Sequence, residues 1–500
     1  MRTREVASPP AWSGLFAIAG AAVLALAVTA GRYGYHRDEL YFIAAGAHLA
    51  WGYPDQPLLA PLMARAADLI APGSLLVLRA PSIITCAVTT VTTGLFAREA
   101  GGGKHAQWLA AAAWAVGAVC LVTGHLVSTT TYDVGVTAVV SLLIARLVRT
   151  GDTRLWVPAG AVLGVGLLNK SLVGVVIAVV LLAYALIGPR EILRSRWLLV
   201  GACLAILGAL PYAIWQLAHG LPEQQLAASI ASSGAEGGRA GLIPFQLVLI
   251  SPLLAPVWLC GLVALLRADE LRALRPFAVA YLVLIPIFII TGGKAYYMAG
   301  LYPALLGVGA CVVERWRGRG DGLRRRLRSS ALIAALVLSA AASAVIGLGI
   351  LPERDLQGSI VMKLNPDAGE MVGWPRFTAT VAGVYHSLPP ATQRHTAIFT
   401  SNYGEAGAIA QLGPKLGLPY PYSGHNGWWF WGPPPNSDTS VVLVGFEREQ
   451  AQAWFVGCAL RARINDGIAL NNNEQGAPVL VCDGERRPWS ELWLSLRHYD

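Results

Sequence analysis

The sequence predicts a polytopic α-helical membrane protein that also carries a C-terminal α/β domain. Three observations carry that prediction. Hydrophobic residues make up 55% of the 500-residue chain and charged residues only 13%, about half the charged share of a soluble domain. Apolar stretches of about the length needed to cross a bilayer recur up to residue 350. From 351 to 500 the chain turns polar, over a length sufficient for one domain. The composition excludes a soluble cytosolic enzyme, a disordered chain and a collagen-like fibre, and it leaves too few charges for a long coiled coil.

The first apolar stretch, Trp12–Ala30, follows Arg2, Arg4 and Glu5. A signal peptide would look similar, but no A-x-A cleavage site precedes Gly31, so the stretch reads as a retained anchor with its N-terminus inside. Further spans are expected at 74–97, 106–126, 131–148, 155–169, 171–188, 197–217, 246–266, 276–291, 297–313 and 331–350. About eleven helices place the C-terminal domain outside the cytoplasmic membrane. The cations agree with that orientation. Arg98 and Lys104, then Arg146, Arg149 and Arg154, then Arg190, Arg194 and Arg196, then Arg267, Arg272 and Arg275, and finally the run from Arg315 to Arg328 all fall in expected cytoplasmic loops. The segment 155–188 is read as two short helices hinged at Asn169–Lys170. A single long helix there would invert everything downstream.

The net charge of +9 could suggest nucleic-acid binding, but the cations lie in short runs between apolar stretches rather than on a soluble face, so no nucleic-acid partner is expected. Cys86, Cys120, Cys203, Cys260 and Cys311 sit in apolar segments and read as small buried hydrophobes. Cys458 and Cys482 are the pair in a polar, outward region and are candidates for a disulfide, although sequence does not set their distance.

The division of the chain follows: 1–350 as a transmembrane catalytic domain and 351–500 as an extracytoplasmic α/β domain. Residues 31–73 form a long first outer loop, in which 39–50 and 58–69 have the spacing of amphipathic helices, the first stopped by Gly52 and Pro54. The tail alternates strand-like Ala397–Thr400, helix-like Tyr403–Leu412, strand-like Val441–Gly445, helix-like Glu447–Phe455 and strand-like Val479–Cys482. Trp428-Trp429-Phe430-Trp431 reads either as a sugar-stacking face or as packing at the membrane interface.

Polar groups gather at the expected outer face. Asp38 and Glu39 stand side by side in the first outer loop, where Arg37 could simply pair with Asp38. Asp133 opens the fourth span after His125 and a Ser/Thr run. An acid at a membrane helix end is costly unless partnered, and its ordinary role there would be an N-terminal cap. Lys170 and Lys294 lie at the same edge, where each alone would read as a snorkelling cation. Together they supply two cations near two or three acids. Cations bind phosphate, and an acid can activate a hydroxyl. His425 and Asn426 could face an acceptor or be solvated.

Several motifs resemble one family. These are His36-Arg37-Asp38-Glu39-Leu40-Tyr41-Phe42, Gly52-Tyr53-Pro54-Asp55-Gln56-Pro57, Tyr132-Asp133, Gly164 to Lys170 and Gly293 to Pro303, in that order. The chain is similar over residues 1–310 to bacterial membrane glycosyltransferases related to protein O-mannosyltransferases and lipid A aminoarabinose transferases, which have the GT-C fold (glycosyltransferase family 39). In the tail, Asn402-Tyr403-Gly404-Glu405-Ala406 and Ser423-Gly424-His425-Asn426 look like those of a bacterial subgroup.

The resemblance implies a polyprenyl-phosphate sugar donor (a hexose or pentose, mannose among them), transfer outside the cytoplasmic membrane and inversion at the anomeric carbon. It implies that Asp38 binds or activates the acceptor, that Glu39 supports it, and that Asp133 is the second acid. Lys170, Lys294 and a following aromatic, Tyr297 rather than Tyr296, would lie near the donor phosphate. Arg37, Asp55, Gln56 and His425 are further substrate-binding candidates. Some relatives carry a divalent metal near the acids, but this sequence shows no ligand cluster, and no cofactor is assigned. The partners expected are the donor, the bilayer, and a protein, lipid or polysaccharide acceptor.

The rival reading is a polytopic transporter or lipid-carrier flippase, whose charges would sit midway across the membrane in repeated halves. Here the charges collect at one face, and no repeat is evident. A sugar-binding membrane sensor would leave Asp38, Asp133 and the lysines unexplained.

Overall fold

The computed structural model describes residues 8–233, 238–319 and 321–499. Arg2, Arg4 and Glu5, read above as inward-facing charges, lie outside the described residues, as does residue 320 in the arginine-rich loop. The chain divides into two compact units that are each discontinuous in sequence, unlike the division at 350 expected from composition. One contains residues 1–30, 79–215 and 230–348, and the other contains 31–78, 216–229 and 349–500.

Sixteen helices run through the first 350 residues: α1 (Trp12–Thr29), α2 (Arg37–Ala47), α3 (Leu59–Ile70), α4 (Leu75–Glu99), α5 (Lys104–Ala115), α6 (Ala118–Gly124), α7 (Thr129–Thr150), α8 (Trp156–Leu167), α9 (Leu172–Ile187), α10 (Arg196–Ala218), α11 (Pro222–Ser233), α12 (Gly238–Ile250), α13 (Ala255–Arg267), α14 (Arg275–Thr291), α15 (Tyr302–Gly318) and α16 (Gly322–Gly347). Among the described residues, seven helical segments are long and apolar enough to cross a membrane, or up to nine if the bent pairs α5–α6 and α12–α13 each count as one span. The expected spans 155–169 and 171–188 are indeed two separate helices, broken between Leu167 and Leu172. At 12 and 16 residues they fall short of that length, because a residue advances a helix by only about 1.5 Å.

The first unit has a continuous apolar core that includes Phe96, Trp114, Phe277, Tyr281 and Leu305. Its closest crossing joins α13 to α15. A Cβ on Gly261 would fall 1.9 Å from the Leu305 carbonyl oxygen, and one on Gly309 would fall 1.9 Å from that of Val257. Any side chain at either position would drive the helices apart. Two of the cations expected in cytoplasmic loops share one carboxylate. Glu99 binds both Arg98 and Arg149, and Glu314 accepts from the amides of Gly103 and Ala106 at 2.8 and 3.1 Å, capping α5.

In the second unit the helices of the tail are α17 (Ile360–Leu364), α18 (Trp374–His386), α19 (Pro390–Gln393), α20 (Tyr403–Leu412), α21 (Arg448–Ala451) and α22 (Trp489–Leu492). Five strands, β1 (Thr396–Thr400), β2 (Tyr422–Ser423), β3 (Ser440–Val444), β5 (Ala459–Arg463) and β6 (Pro478–Cys482), form one sheet in the order β2-β1-β3-β6-β5. β1 is parallel to β2 and β3, while β6 is antiparallel to β3 and β5. Alternate residues face opposite sides. Ile398, Val442, Val444 and Val481 pack with Phe377, Ile409 and Leu40, whereas Phe399, Leu443 and Leu480 pack with Trp489, Leu492 and Trp493. Both faces are covered, so β1, β3 and β6 are buried throughout.

Three expectations are corrected. The helix at Glu447–Phe455 shrinks to α21, because Phe455–Val456 (β4) pairs with Gly484–Glu485 (β7). The helix at 39–50 begins two residues earlier, where His36 and Glu39 form its capping box, and ends at Ala47, before Gly52. The aromatic run folds into its own unit rather than presenting a free face. Trp428 is buried, Trp431 stacks on His48 at 4.4 Å, and Trp429 and Trp493 each donate their indole N–H to the other's carbonyl at 2.9 Å. A disulfide joins Cys458 to Cys482 at the end of β6.

Candidate active site

The segment 31–73 builds its acids by helix capping. His36 Nδ1 accepts the Asp38 amide at 3.2 Å, and Glu39 Oε2 accepts the His36 amide at 2.9 Å, a reciprocal capping box at the start of α2. The two neighbouring acids therefore occupy different surroundings. Glu39 is fully buried, whereas the Asp38 side chain remains 38% exposed. Asp38 Oδ1 accepts the Tyr403 hydroxyl at 2.8 Å. Arg37 lies over the Tyr403 ring at 4.7 Å and 3.7 Å from Glu370 Oε2, so it is not simply the ion-pair partner of Asp38.

Asp55 and Gln56 sit in the tight turn closed by the Gly52–Pro57 bridge and by the Tyr53 amide bonding to the Gln56 carbonyl at 2.8 Å. Tyr41 donates to Asp55 Oδ1 at 2.9 Å and accepts the Gly427 amide at 3.0 Å. Burial pushes the Asp55 carboxyl up to about 7, against the smaller opposing effect of the Tyr41 hydrogen bond. Gln56 is buried, and its Nε2 has no hydrogen-bond partner among the described residues. His425 is buried rather than solvated, with Nδ1 accepting the Tyr403 amide at 3.3 Å, which leaves a neutral ring's proton on Nε2.

In the first unit Asp133 stands on α7. The helix cap is not Asp133 but Ser128, whose Oγ accepts the Thr130 amide at 3.1 Å. Asp133 is buried, and its Oδ1 has no hydrogen-bond partner among the described residues, although Lys170 acts on it electrostatically. The break between α8 and α9 holds Lys170 in place. Asn169 donates its side-chain amide to the Thr129 carbonyl at 2.7 Å, anchoring the turn to the start of α7. Lys170 Nζ lies 4.9 Å from the centre of the Tyr297 ring, the Tyr297 and Tyr296 rings are 5.3 Å apart, and Lys294 Nζ lies 5.7 Å from the Tyr296 ring. Residues 133, 170, 294 and 297, up to 164 positions apart in the chain, are thus linked by successive contacts through Tyr296.

Tyr403, Tyr41 and Tyr296 are the side chains that residue-by-residue reading did not assign to the site. Tyr41 and Tyr403 lie inside motifs read above, and the Asn402-x-x-Glu405 capping box just ahead of α20 was a readable signal for what positions Tyr403. Among the described residues, no group of three or more His, Cys, Asp or Glu side chains is placed to hold a metal ion.

The fold is similar to that of solved membrane glycosyltransferases, and about a third of the chain matches one family model. Residues 55–215 match the family model "Dolichyl-phosphate-mannose-protein mannosyltransferase". The fold is similar to that of ArnT from Cupriavidus metallidurans in the apo state, with a TM-score of 0.62 at 14% identity over 94% of this chain and 98% of that one. It is likewise similar to the same protein bound to undecaprenyl phosphate, with a TM-score of 0.58 at 15% identity over the same shares of the two chains. The arabinofuranosyltransferase AftD from Mycobacteria matches with a TM-score of 0.54 at 13% identity, over 96% of this chain but 40% of that one. No curated protein matches by sequence.

Proposed function

We propose that this protein transfers a sugar from a polyprenyl-phosphate carrier to an acceptor hydroxyl on the outer face of the cytoplasmic membrane, in a single displacement that inverts the anomeric carbon. The observation that carries the reading is the cluster of Asp133, Lys170, Tyr297 and Lys294 in the first unit. Two ammonium groups held over aromatic rings, beside one buried acid, suit an anion with a hydrocarbon tail. ArnT, similar in fold, has been captured with undecaprenyl phosphate.

Displacement at the anomeric carbon builds positive charge on the sugar and negative charge on the departing phosphate. Lys170 and Lys294 stabilise that phosphate as its charge grows, and Asp133 lies within electrostatic reach of Lys170. Asp38 is the base. One of its oxygens is fixed by Tyr403 while the side chain stays accessible, so it can accept the acceptor's proton. Glu39 supports it indirectly by holding the first turn of α2. The test is to incubate membranes containing the protein with labelled polyprenyl-phosphate sugars and follow which label moves, and onto what. The Asp38→Asn variant is expected to lose transfer at unchanged expression. Full transfer by that variant removes Asp38 from the role of base.

A further inference from the structure

The second unit holds a cavity of about 750 Å³, one wall of which is formed by Tyr403, the residue that holds Asp38. Its place follows from the topology of the sheet. From β1 the chain passes through α20 to β2 on one side, while β3 lies on the other. Where neighbouring parallel strands send their connections in opposite directions, a crevice opens beyond their carboxyl ends, and ligands bind in such crevices. Ser401, directly after β1, and Gly445, directly after β3, both line this cavity. Gly445 has φ +81°, and a Cβ there would fall 2.3 Å from Ser401 Oγ. Only glycine lets the two strand ends approach so closely.

The lining has a consistent chemistry. Arg37 and Arg497 supply two guanidinium groups, Gln450 a carboxamide and Trp454 an indole wall, and among the described residues no carboxylate lines the cavity. Arg37 is mostly buried, its side chain 15% exposed, with Nε lacking a hydrogen-bond partner among the described residues. Arg497 is steadied over the Trp429 ring at 4.8 Å. Guanidinium forks match planar or tetrahedral oxyanions, a carboxamide pairs with vicinal hydroxyls, and an indole face takes the C–H face of a sugar ring. The volume falls within the usual range of small-molecule sites.

We propose that this cavity binds an acidic saccharide, a sugar ring carrying a carboxylate or a phosphate, using second-unit residues alone. The test uses the full chain purified in detergent without any polyprenyl donor, so that failure of transfer and failure of binding are read separately. Glucuronate, glucose 6-phosphate and glucose are titrated by calorimetry and by tryptophan fluorescence. At least one acidic sugar is expected to bind about tenfold or more tightly than glucose, and which one binds distinguishes carboxylate from phosphate recognition. Arg497→Gln and Gln450→Leu, both at exposed positions, are each expected to weaken that binding about tenfold at unchanged thermal midpoint, with Arg497→Lys intermediate. Equal binding of glucose, no binding by any of the three sugars, or unaltered affinity in both variants overturns the proposal.

Discussion

Replacing Tyr403 by phenylalanine isolates a single hydroxyl. In the native protein that hydroxyl donates to Asp38 Oδ1 at 2.8 Å, while the ring carries the Arg37 guanidinium at 4.7 Å and lies 5.0 Å from the Tyr41 ring. Phenylalanine keeps both ring contacts and removes only the hydrogen bond. A hydrogen bond to a charged acceptor contributes about 1.5–3 kcal/mol. If that energy holds the carboxylate in its reacting position, kcat should fall on the order of 10- to 100-fold. KM for the donor should barely move, because nothing in the substitution touches the lysine cluster. Tyr403→Ala removes the ring as well and should cost thermal stability in addition. The assay is initial-rate transfer from a labelled polyprenyl-phosphate sugar, with thermal midpoints measured on the same preparations. Unchanged kcat for Tyr403→Phe would refute the claim that Tyr403 positions the base, and a midpoint lost only in Tyr403→Ala alongside it would make Tyr403 a packing residue only.

The lysine cluster should act on the same rate constant. Lys170→Met is expected to lower kcat about 100-fold or more through lost stabilisation of the departing phosphate, checked by transfer rates with saturating donor. Three buried carboxyls make the second unit sensitive to pH. Burial holds Asp55 and Glu405 up at about 7 and Glu474 at about 8, against about 4 in an unfolded chain. Each group binds its proton more tightly when folded, so the stability it adds is complete below about pH 4 and is lost as pH rises through about 7 to 8. The thermal midpoint should therefore fall between pH 5 and pH 8, and Asp55→Asn or Glu405→Gln should flatten that slope. Opening the Cys458–Cys482 disulfide, which spans 24 positions, should cost about 3–4 kcal/mol by loop entropy. Reduction should accordingly lower the second unit's midpoint, and Cys458→Ser should make the protein indifferent to reductant.

Periodicity and composition by themselves determined where the apolar segments lie, though not the bends that divide the expected spans 106–126 and 246–266, and also that the 155–188 segment breaks at Asn169–Lys170 and that β1, α20, β3 and β6 follow one another in the tail. Each of those signals is local: a run of apolar side chains, a pair of polar residues interrupting it, an alternation every second residue. The motif order also carried the family resemblance. Local patterns do not contain partners distant in the chain. That Tyr403 reaches Asp38 across 365 positions, that Tyr41 reaches Asp55, and that Tyr296 links Lys294 to Tyr297 and so to Lys170 depended on how the elements pack. So did the different surroundings of adjacent Asp38 and Glu39, because a helical turn directs successive residues about 100° apart. The sequence supplied the charges, and the tertiary structure decided which were buried, which were paired and which stayed accessible, because desolvation and hydrogen bonding are set by neighbours rather than by position in the chain.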